Sequence, residues 1–485
     1  MKNIKRRKGK RPIYWGLFLV MLLGFINTNA QTSRKNWIGG ESAFNGAGTF
    51  GTKGVANSTN VPPARYSHSS WTDSEGNFWV FGGRKSGTDF LNDLWKWDGE
   101  NWTWINGANT QNAAGTYGVK GVAAGSNSPG ARRDAEIWRG SGDSVWLFGG
   151  SDASNNYNDL WLWNGSQWAW ISGSSSANQQ GVYGSIGVAN SANVPGARYA
   201  AASWKASNGD IYLFGGFGRS ESGTGTLQDL WKWDGSNWTW MNGSKSHTVS
   251  GVYGTIGVAN SANVPGSRIL SASWTDENGD FWLFGGQAYI NSALYIANDL
   301  WKWDGTNWTW MKGSNSGTAT VNYGTQGVAN ASNDPGGRTS SVAWFSSDEN
   351  KAYILAGGDY GVFRNDLWTW DGTNWVWING PSTAGQSSVF VSKGISDASE
   401  RVGGIRETTI SVDDKGIVYL FGGRHRHGGN VSNSLWRFDE GNFWDGSSWS
   451  NGSPTNSTVD VYINSSLGQP GSFVCQDLFI SAGKT

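Results

Sequence analysis

Cysteine is almost missing from this chain of 485 residues: Cys475 stands alone. No intrachain disulfide can form, and no cysteine-based zinc site can be built. Histidine is scarce as well, at 4 residues, and only His425-Arg426-His427 sets two of them together. Neither a third nor a fourth metal ligand is evident beside that pair, so no metal and no cofactor is expected. Charged residues make up 15%, and 37 Lys+Arg balance 37 Asp+Glu. A sparse, neutral charge set has no field with which to gather nucleic acid or an anionic membrane. The linear signatures of a nucleophile elbow, a phosphate loop and a metalloprotease helix are all lacking. Asp276-Glu277-Asn278-Gly279-Asp280 looks like part of a calcium loop but lacks the full spacing.

Long apolar runs are also lacking, with one exception. Trp15 to Ile26 follows a basic stretch (Lys5, Arg6, Arg7, Lys8, Lys10, Arg11) and ends at Asn27-Thr28-Asn29-Ala30. The run is shorter than the ~20 residues a bilayer core needs. With those flanks it reads as a secretory leader over residues 1–30, cut before Gln31. The mature chain is therefore expected to be secreted or held at the cell surface, with no membrane span. No cysteine follows the run, so a lipid anchor is not expected there.

What the chain has in abundance is glycine, at 72 residues, and tryptophan, at 33. Disordered chains lack aromatics, and collagen would show glycine at every third position. Glycine with aromatics and few helix formers predicts short strands and tight turns, an all-β chain. The order behind this composition is a repeat. A glycine pair closes a short apolar run six times: Phe81-Gly82-Gly83, Phe148-Gly149-Gly150, Phe214-Gly215-Gly216, Phe284-Gly285-Gly286, Ala356-Gly357-Gly358 and Phe421-Gly422-Gly423. An arginine precedes the first glycine by 17 residues in four copies, as Arg65, Arg132, Arg198 and Arg268, with Arg338 and Arg406 expected to fill the place in the others. An aromatic precedes the arginine in turn: Phe50, Tyr117, Tyr183, Tyr253, Tyr323 and Phe390. Downstream comes Asp-Leu-Trp-x-Trp, as in Asp229 to Trp233, then a turn such as Asp234-Gly235-Ser236-Asn237, then a second Trp-x-Trp, Trp238 and Trp240.

Each unit thus reads as four strands, a to d. In the third unit, a is Tyr199 to Trp204, b is Ile211 to Phe214, and c and d carry the two Trp-x-Trp pairs. Asn208-Gly209 and Asp234-Gly235 suit hairpin turns, because both residue types accept positive φ. A spacing of two sets both rings of a strand on one sheet face. Sheets with faces they cannot bury alone must lean on their neighbours, and four-stranded units repeated in that way close into a propeller.

The doublet after an apolar strand, followed by an aromatic strand and a last strand with tryptophan, resembles the kelch repeat over residues ~36–444. The resemblance implies a kelch-like β-propeller, expected here with six four-stranded blades, seven if the tail supplies another. The units are longer than the ~50 residues of a kelch unit. The excess lies in the d–a connection, as in Gly251 to Arg268, and resembles a secreted bacterial subtype of the family. The central domain of galactose oxidase shares this type of fold. Its chemistry uses a tyrosine crosslinked to cysteine plus histidine ligands, whereas Cys475 lies outside the repeats, so the resemblance implies the fold without the oxidase site.

The sixth unit has Leu435-Trp436-Arg437-Phe438 as strand c but no proper d, while Trp37-Ile38-Gly39-Gly40 is a d strand without a unit before it. The N-terminal strand is expected to complete the last blade, giving a domain over 36–443. The tail, 444–485, looks like the opening of a separate β-solenoid-like module, stopping in mid-pattern.

A residue found in every unit serves the unit, so the arginines, the Asp of Asp-Leu-Trp and the tryptophans are expected to hold the blades together. Loops that differ between units are better ligand candidates. The b–c and d–a connections emerge on one face. The b–c set comprises Arg84 and Lys85; Asn155, Asn156 and Tyr157; Phe217 and Arg219; Tyr289, Asn291 and Tyr295; Asp359, Tyr360 and Arg364; and Arg424, His425, Arg426 and His427. Mixed aromatics, amides and arginines suit a protein surface or a glycan. The expected function is therefore non-catalytic binding or scaffolding by a monomer. A carbohydrate-active lyase or hydrolase is the alternative, since carboxylates can converge without a linear motif, and would show as clustered acids in the central funnel. A purely structural surface module is the third reading.

Overall fold

A computed structural model of the chain describes residues 34–359, 361–394, 399–425 and 429–439, with three short strands at 442–444, 461–463 and 478–480. The leader expected over 1–30 and most of the tail lie outside the described residues. The described residues form strands and turns without a helix, so no helix is long and apolar enough to cross a membrane.

Six antiparallel sheets carry the strand order a-b-c-d. The third is typical: Ala202–Lys205, Ile211–Phe214, Leu230–Trp233 and Trp238–Asn242. The a strands of neighbouring sheets meet in a closed circuit, so the sheets stand radially around one axis as the blades of a propeller. Each junction is filled by its own apolar cluster, and the six clusters close the ring from the first sheet back to the sixth. In the cluster between the second and third sheets, Trp231, Trp233 and Trp238 point one way and meet Trp138, Phe148 and Leu160. The period-two spacing thus does what it implied: one face of c and d buries its indoles against the preceding blade. Each buries up to ~250 Å², worth several kcal/mol at ~25 cal/mol per Å² as an upper figure.

The sixth sheet is completed by the N-terminal strand, Arg34–Gly39, which pairs antiparallel with Leu435–Asp439 and sets Trp37 opposite Trp436. Trp37 Nε1 donates to the Gly39 carbonyl (2.7 Å), as Trp104 Nε1 does to Asn106 (2.8 Å) in the first sheet. The last blade is therefore shared by the two ends of the chain, and no inner sheet is left open.

The long d–a connection has a structural task. It runs outward along strand d of the following blade and covers that otherwise bare edge. Gly187 N–H donates to the Trp240 carbonyl (2.8 Å), and Asn193 Nδ2 to the carbonyls of Val188 and Trp238 (3.0 Å each). Asn60, Asn127, Asn263 and Asn333 repeat the side-chain bridge.

Two of the expectations need correction. Strand a starts at Ala202, not Tyr199, because Ala200 takes φ of +55° and breaks the strand. Arg198–Tyr199 pairs instead with Phe217–Arg219 on top of the blade. In the fifth unit the doublet is Ala356-Gly357 and not Gly357-Gly358: Ala356 has φ of +64°, matching the first glycine elsewhere, and its carbonyl accepts from Arg338. Finally, 442–444, 461–463 and 478–480 pair in parallel as a separate small sheet.

Candidate binding surface

The recurring arginine and aspartate meet inside each of the first five blades. Arg198 and Asp229 form a two-pronged pair, Nη1 to Oδ1 and Nη2 to Oδ2, both at 2.7 Å and both buried. Arg198 also donates to the carbonyls of Gly196 and Gly215 (3.0 Å each), and Asp229 Oδ2 accepts from Trp231 Nε1 (2.7 Å) and the Tyr183 hydroxyl (2.6 Å). All three guanidinium nitrogens and both carboxylate oxygens are thereby engaged, which is what makes such a pair tolerable in the core. Arg65–Asp93, Arg132–Asp159, Arg268–Asp299 and Arg338–Asp366 repeat it. Burial alone would push the Asp299 carboxyl up; the Arg268 charge and hydrogen bonds outweigh that and hold it below the usual carboxylate range.

The sixth blade departs from the pattern at the arginine, the aspartate and the aromatic, the last of which is a phenylalanine, Phe50, in the first blade too. Ile405 stands where the arginine would, Ser434 where the aspartate would, and Phe390 replaces the tyrosine. Trp436 Nε1 then donates to Ser434 Oγ (3.0 Å). Arg406, expected to fill the arginine place, lies one residue further on; it pairs by backbone with Arg424 and donates to the Asp359 carbonyl (2.9 Å). No charge of the pair is stranded, because the whole set is exchanged for a neutral one.

The glycine doublets join the blades. Each second glycine N–H donates to the carbonyl at the arginine position of the next blade: Gly83 to Arg132 and Gly150 to Arg198 (both 2.8 Å), then Gly216 to Arg268, Gly286 to Arg338, Gly357 to Ile405 and Gly423 to Arg65. At the first glycine φ is again positive, and a Cβ on Gly285 would stand 2.7 Å from the Arg338 carbonyl oxygen. Inside this belt lies a second ring of residues with φ between +50° and +57°: Ser67, Asp134, Ala200, Leu270, Ser340 and Glu407. Their N–H groups chain from one to the next, as Asp134 to Ser67 (2.8 Å) and Ser340 to Leu270 (2.9 Å). These six residues line a central channel of about 280 Å³.

Around its mouth the residues just after the arginine positions pair with the b–c loops: Tyr66 with Arg84, Arg133 with Ser151, Tyr199 with Phe217, Ile269 with Gln287, Thr339 with Gly358 and Arg406 with Arg424. The mouth is polarised. Over the sixth, first and second blades stand Arg406, Arg424, Arg84 and Arg133; over the fourth and fifth the same places hold uncharged residues. Arg84 and Arg424 meet across the Tyr66 ring, their guanidiniums 5.7 and 5.2 Å from its centroid. Arg424 also pairs with Glu407 (3.3 Å), and Arg133 lies over Tyr199 (4.5 Å) and bonds Asp134. Three guanidiniums thus share tyrosine faces with two carboxylates, while the fourth, Arg406, lies over the Phe363 ring (5.6 Å).

Of the sequence candidates, Arg84 and Arg424 come together in this arc, and Phe217 joins it through Tyr199 (5.6 Å). Others are corrected. His425 is buried against Phe44, and burial pushes its imidazole down to about 4. Tyr157 donates to Asp152 (2.5 Å) under the stacked Arg132, and Arg364 donates to the Tyr323 hydroxyl (3.1 Å), so both brace their own blades. Asn156 is tied through its backbone N–H to Asn178 Oδ1 (3.0 Å), with Asn155 bonded to Asp152. Asp359 meets the arc only through its carbonyl, which accepts from Arg406. Lys85 sits near a hairpin tip, Arg219 at the turn end of a short hairpin, and Tyr289, Asn291 and Tyr295 on the raised hairpin of the fourth blade, all apart from the arc. Tyr360, Arg426 and His427 lie outside the described residues. Tyr66, Arg133, Asp134, Tyr199 and Glu407 were missed. Their signal was variability right after the arginine position, hidden by assigning those residues to strand a.

Residues 49–181 match the KLHDC2/KLHL20/DRC7 Kelch-repeats domain. That stretch holds the first two blades whole, Ser69 to Asn106 and Glu136 to Ser172. The fold is a kelch-type β-propeller. A comparison with curated proteins gives no match.

Proposed function

We propose that this protein is an exported, non-catalytic binding protein whose propeller mouth takes a carboxylate-bearing segment of a partner protein. The observation that carries the reading is the arc of Arg84, Arg133 and Arg424 around Tyr66 and Tyr199, continued by Arg406 over Phe363. Guanidinium forks bind carboxylates two-pronged, and tyrosine offers rigid contact area at low entropic cost. The kelch-repeat match supports a protein partner, since kelch propellers generally mediate protein interactions. Export rests on the basic and apolar segments of residues 1–30. Because one chain supplies all six junctions, a monomer is sufficient.

The carbohydrate-active alternative has one observation in its favour: Asp134, Glu136 and Glu407 all line the channel. Asp134 is bound by Arg133 and Glu407 by Arg424, which leaves one carboxyl where a glycosidase uses two.

The test is an acidic-peptide array and a glycan array, read with the mature propeller at two salt concentrations. Binding should favour carboxylate-rich peptides and weaken with salt. Arg84→Ala and Arg424→Ala should each cost about tenfold in affinity, as expected for one charge-assisted contact. Salt-independent binding to neutral ligands, untouched by either substitution, would refute the reading, and preference for a uronate glycan would replace the protein partner by a sugar.

A further inference from the structure

Below the mouth, the channel wall has a different character. No lysine or arginine lines it; hydroxyls do, from Ser69, Ser271, Ser273, Ser341 and Thr408 among others. Most of them reach across to a carbonyl, as Ser69 Oγ does to Ala135 (2.8 Å) and Ser273 Oγ to Ser203 (3.3 Å). These bonds use up the inner edges of the a strands.

One residue breaks the pattern. At the second place after the left-handed residue, five blades carry Ser69, Ala202, Ala272, Val342 and Thr409, and the second blade carries Glu136. Its carboxylate accepts from Ser203 Oγ (2.8 Å), and no cationic side chain pairs with it among the described residues. The other two acids of the lining have their arginines at the mouth. Glu136 is thus the one acid of the lining without a cationic partner among the described residues. Burial without one pushes the Glu136 carboxyl up to about 8.

Two further groups in the same wall lack partners. Ser340 Oγ and His68 Nδ1 are buried, the residues only 7% and 4% exposed, and neither atom has a hydrogen-bond partner among the described residues. Buried polar atoms left in this way cost free energy until something meets them. His68 is anchored through Nε2 to Thr409 Oγ1 (2.7 Å), so its other ring nitrogen is fixed in place.

From this juxtaposition we infer that the channel is a binding site for a single-charged polyhydroxylated amine, of the amino-sugar class, with its ammonium on Glu136 and its hydroxyls on the serine and threonine wall. An ammonium supplies the counter-charge that Glu136 lacks and favours the ionised form of its carboxyl. The wall hydroxyls give their protons to carbonyls and keep lone pairs that can accept from the hydroxyls of a ligand. The volume of about 280 Å³ holds one monosaccharide. The site is independent of the arginine arc, which sits at the mouth and selects the opposite charge.

The experiment is calorimetric titration of the mature propeller with D-glucosamine, N-acetylglucosamine and methylammonium. Glucosamine should bind. N-acetylation, which removes the charge and keeps the other hydroxyls, should weaken binding at least tenfold, and methylammonium should bind weakly and compete. Glu136→Gln should also weaken glucosamine at least tenfold while keeping the wild-type thermal midpoint near pH 5. Arg84→Ala should leave glucosamine binding unchanged, which separates this site from the mouth. Equal affinity for the amine and its N-acetyl form overturns the inference on the unmutated protein. So does an absence of glucosamine binding, or a folded Glu136→Gln protein that binds as the wild type does.

Discussion

Asp229→Ser in the third blade should be far more damaging than the loss of the whole buried set around it. The single substitution leaves the Arg198 guanidinium buried with only the carbonyls of Gly196 and Gly215 as acceptors, and takes an acceptor from Tyr183. Removing one partner of a buried pair costs about 3–5 kcal/mol, because the other charge is left uncompensated. The sixth blade provides the control: it stands on Ile405, Ser434 and Phe390. Transplanting that set as Arg198→Ile, Asp229→Ser and Tyr183→Phe removes the charge, the carboxylate and the phenol together. Exchanging a buried pair for apolar groups is often close to neutral, so the triple variant should lose no more than about 2 kcal/mol. Tryptophan fluorescence through a guanidinium titration reads both, as shifts of the unfolding midpoint at constant slope. A triple variant as unstable as Asp229→Ser, or a single variant within about 1 kcal/mol of wild type, would refute the argument that satisfaction of the pair, and not its charge, is what the blade needs.

Other outcomes follow from the same geometry. Ala356→Gly should raise stability by about 1 kcal/mol, since an L residue at φ of +64° is strained; Gly285→Ala should do the reverse and by more, because its Cβ would meet the Arg338 carbonyl, and thermal unfolding compares the two. Glu136 sets a pH slope. Its folded carboxyl, raised to about 8 by burial, keeps its proton where the unfolded chain has lost it above about 4.5, so its contribution is complete below pH 4.5 and fades as pH rises toward 8. Unfolding midpoints measured from pH 5 to 8.5 should fall less steeply in Glu136→Gln than in wild type, and equal slopes would remove the assignment. Deleting residues through Gly39 should bare the strand of Trp436, lower the unfolding midpoint and promote association on gel filtration; an unchanged monomer would contradict closure by the N-terminal strand.

Much of the fold was legible in the linear order. Glycine doublets, Trp-x-Trp pairs and the arginine spacing gave the four strands, their turns and the loan of the first strand to the last blade, because each signal is local and recurs. The slip at Ala356-Gly357 came from reading a residue type where a backbone angle was at stake. The candidate site was harder to read. Arg84 and Arg424 were found because loops that vary between blades announce themselves, but His425 and Tyr157 vary too and turn inward. Tyr66 and Arg133 went unseen because the left-handed residue after each, Ser67 at φ of +53° and Asp134 at +50°, is not a glycine, and Glu407 because it is itself such a residue, at +56°.

By itself the sequence determined the blade: period-two indoles, positive-φ turns and a recurring arginine and aspartate that hold it together, whereas the exchange of that pair for Ile405 and Ser434 in the sixth copy showed only in the structure. Only the closed ring decided which residues face the axis. Glu136 and Ser340 are 204 positions apart in the chain and share one channel wall because six blades converge there. Local pattern encodes a strand and its faces, whereas what converges on an axis depends on every blade taking its place around it.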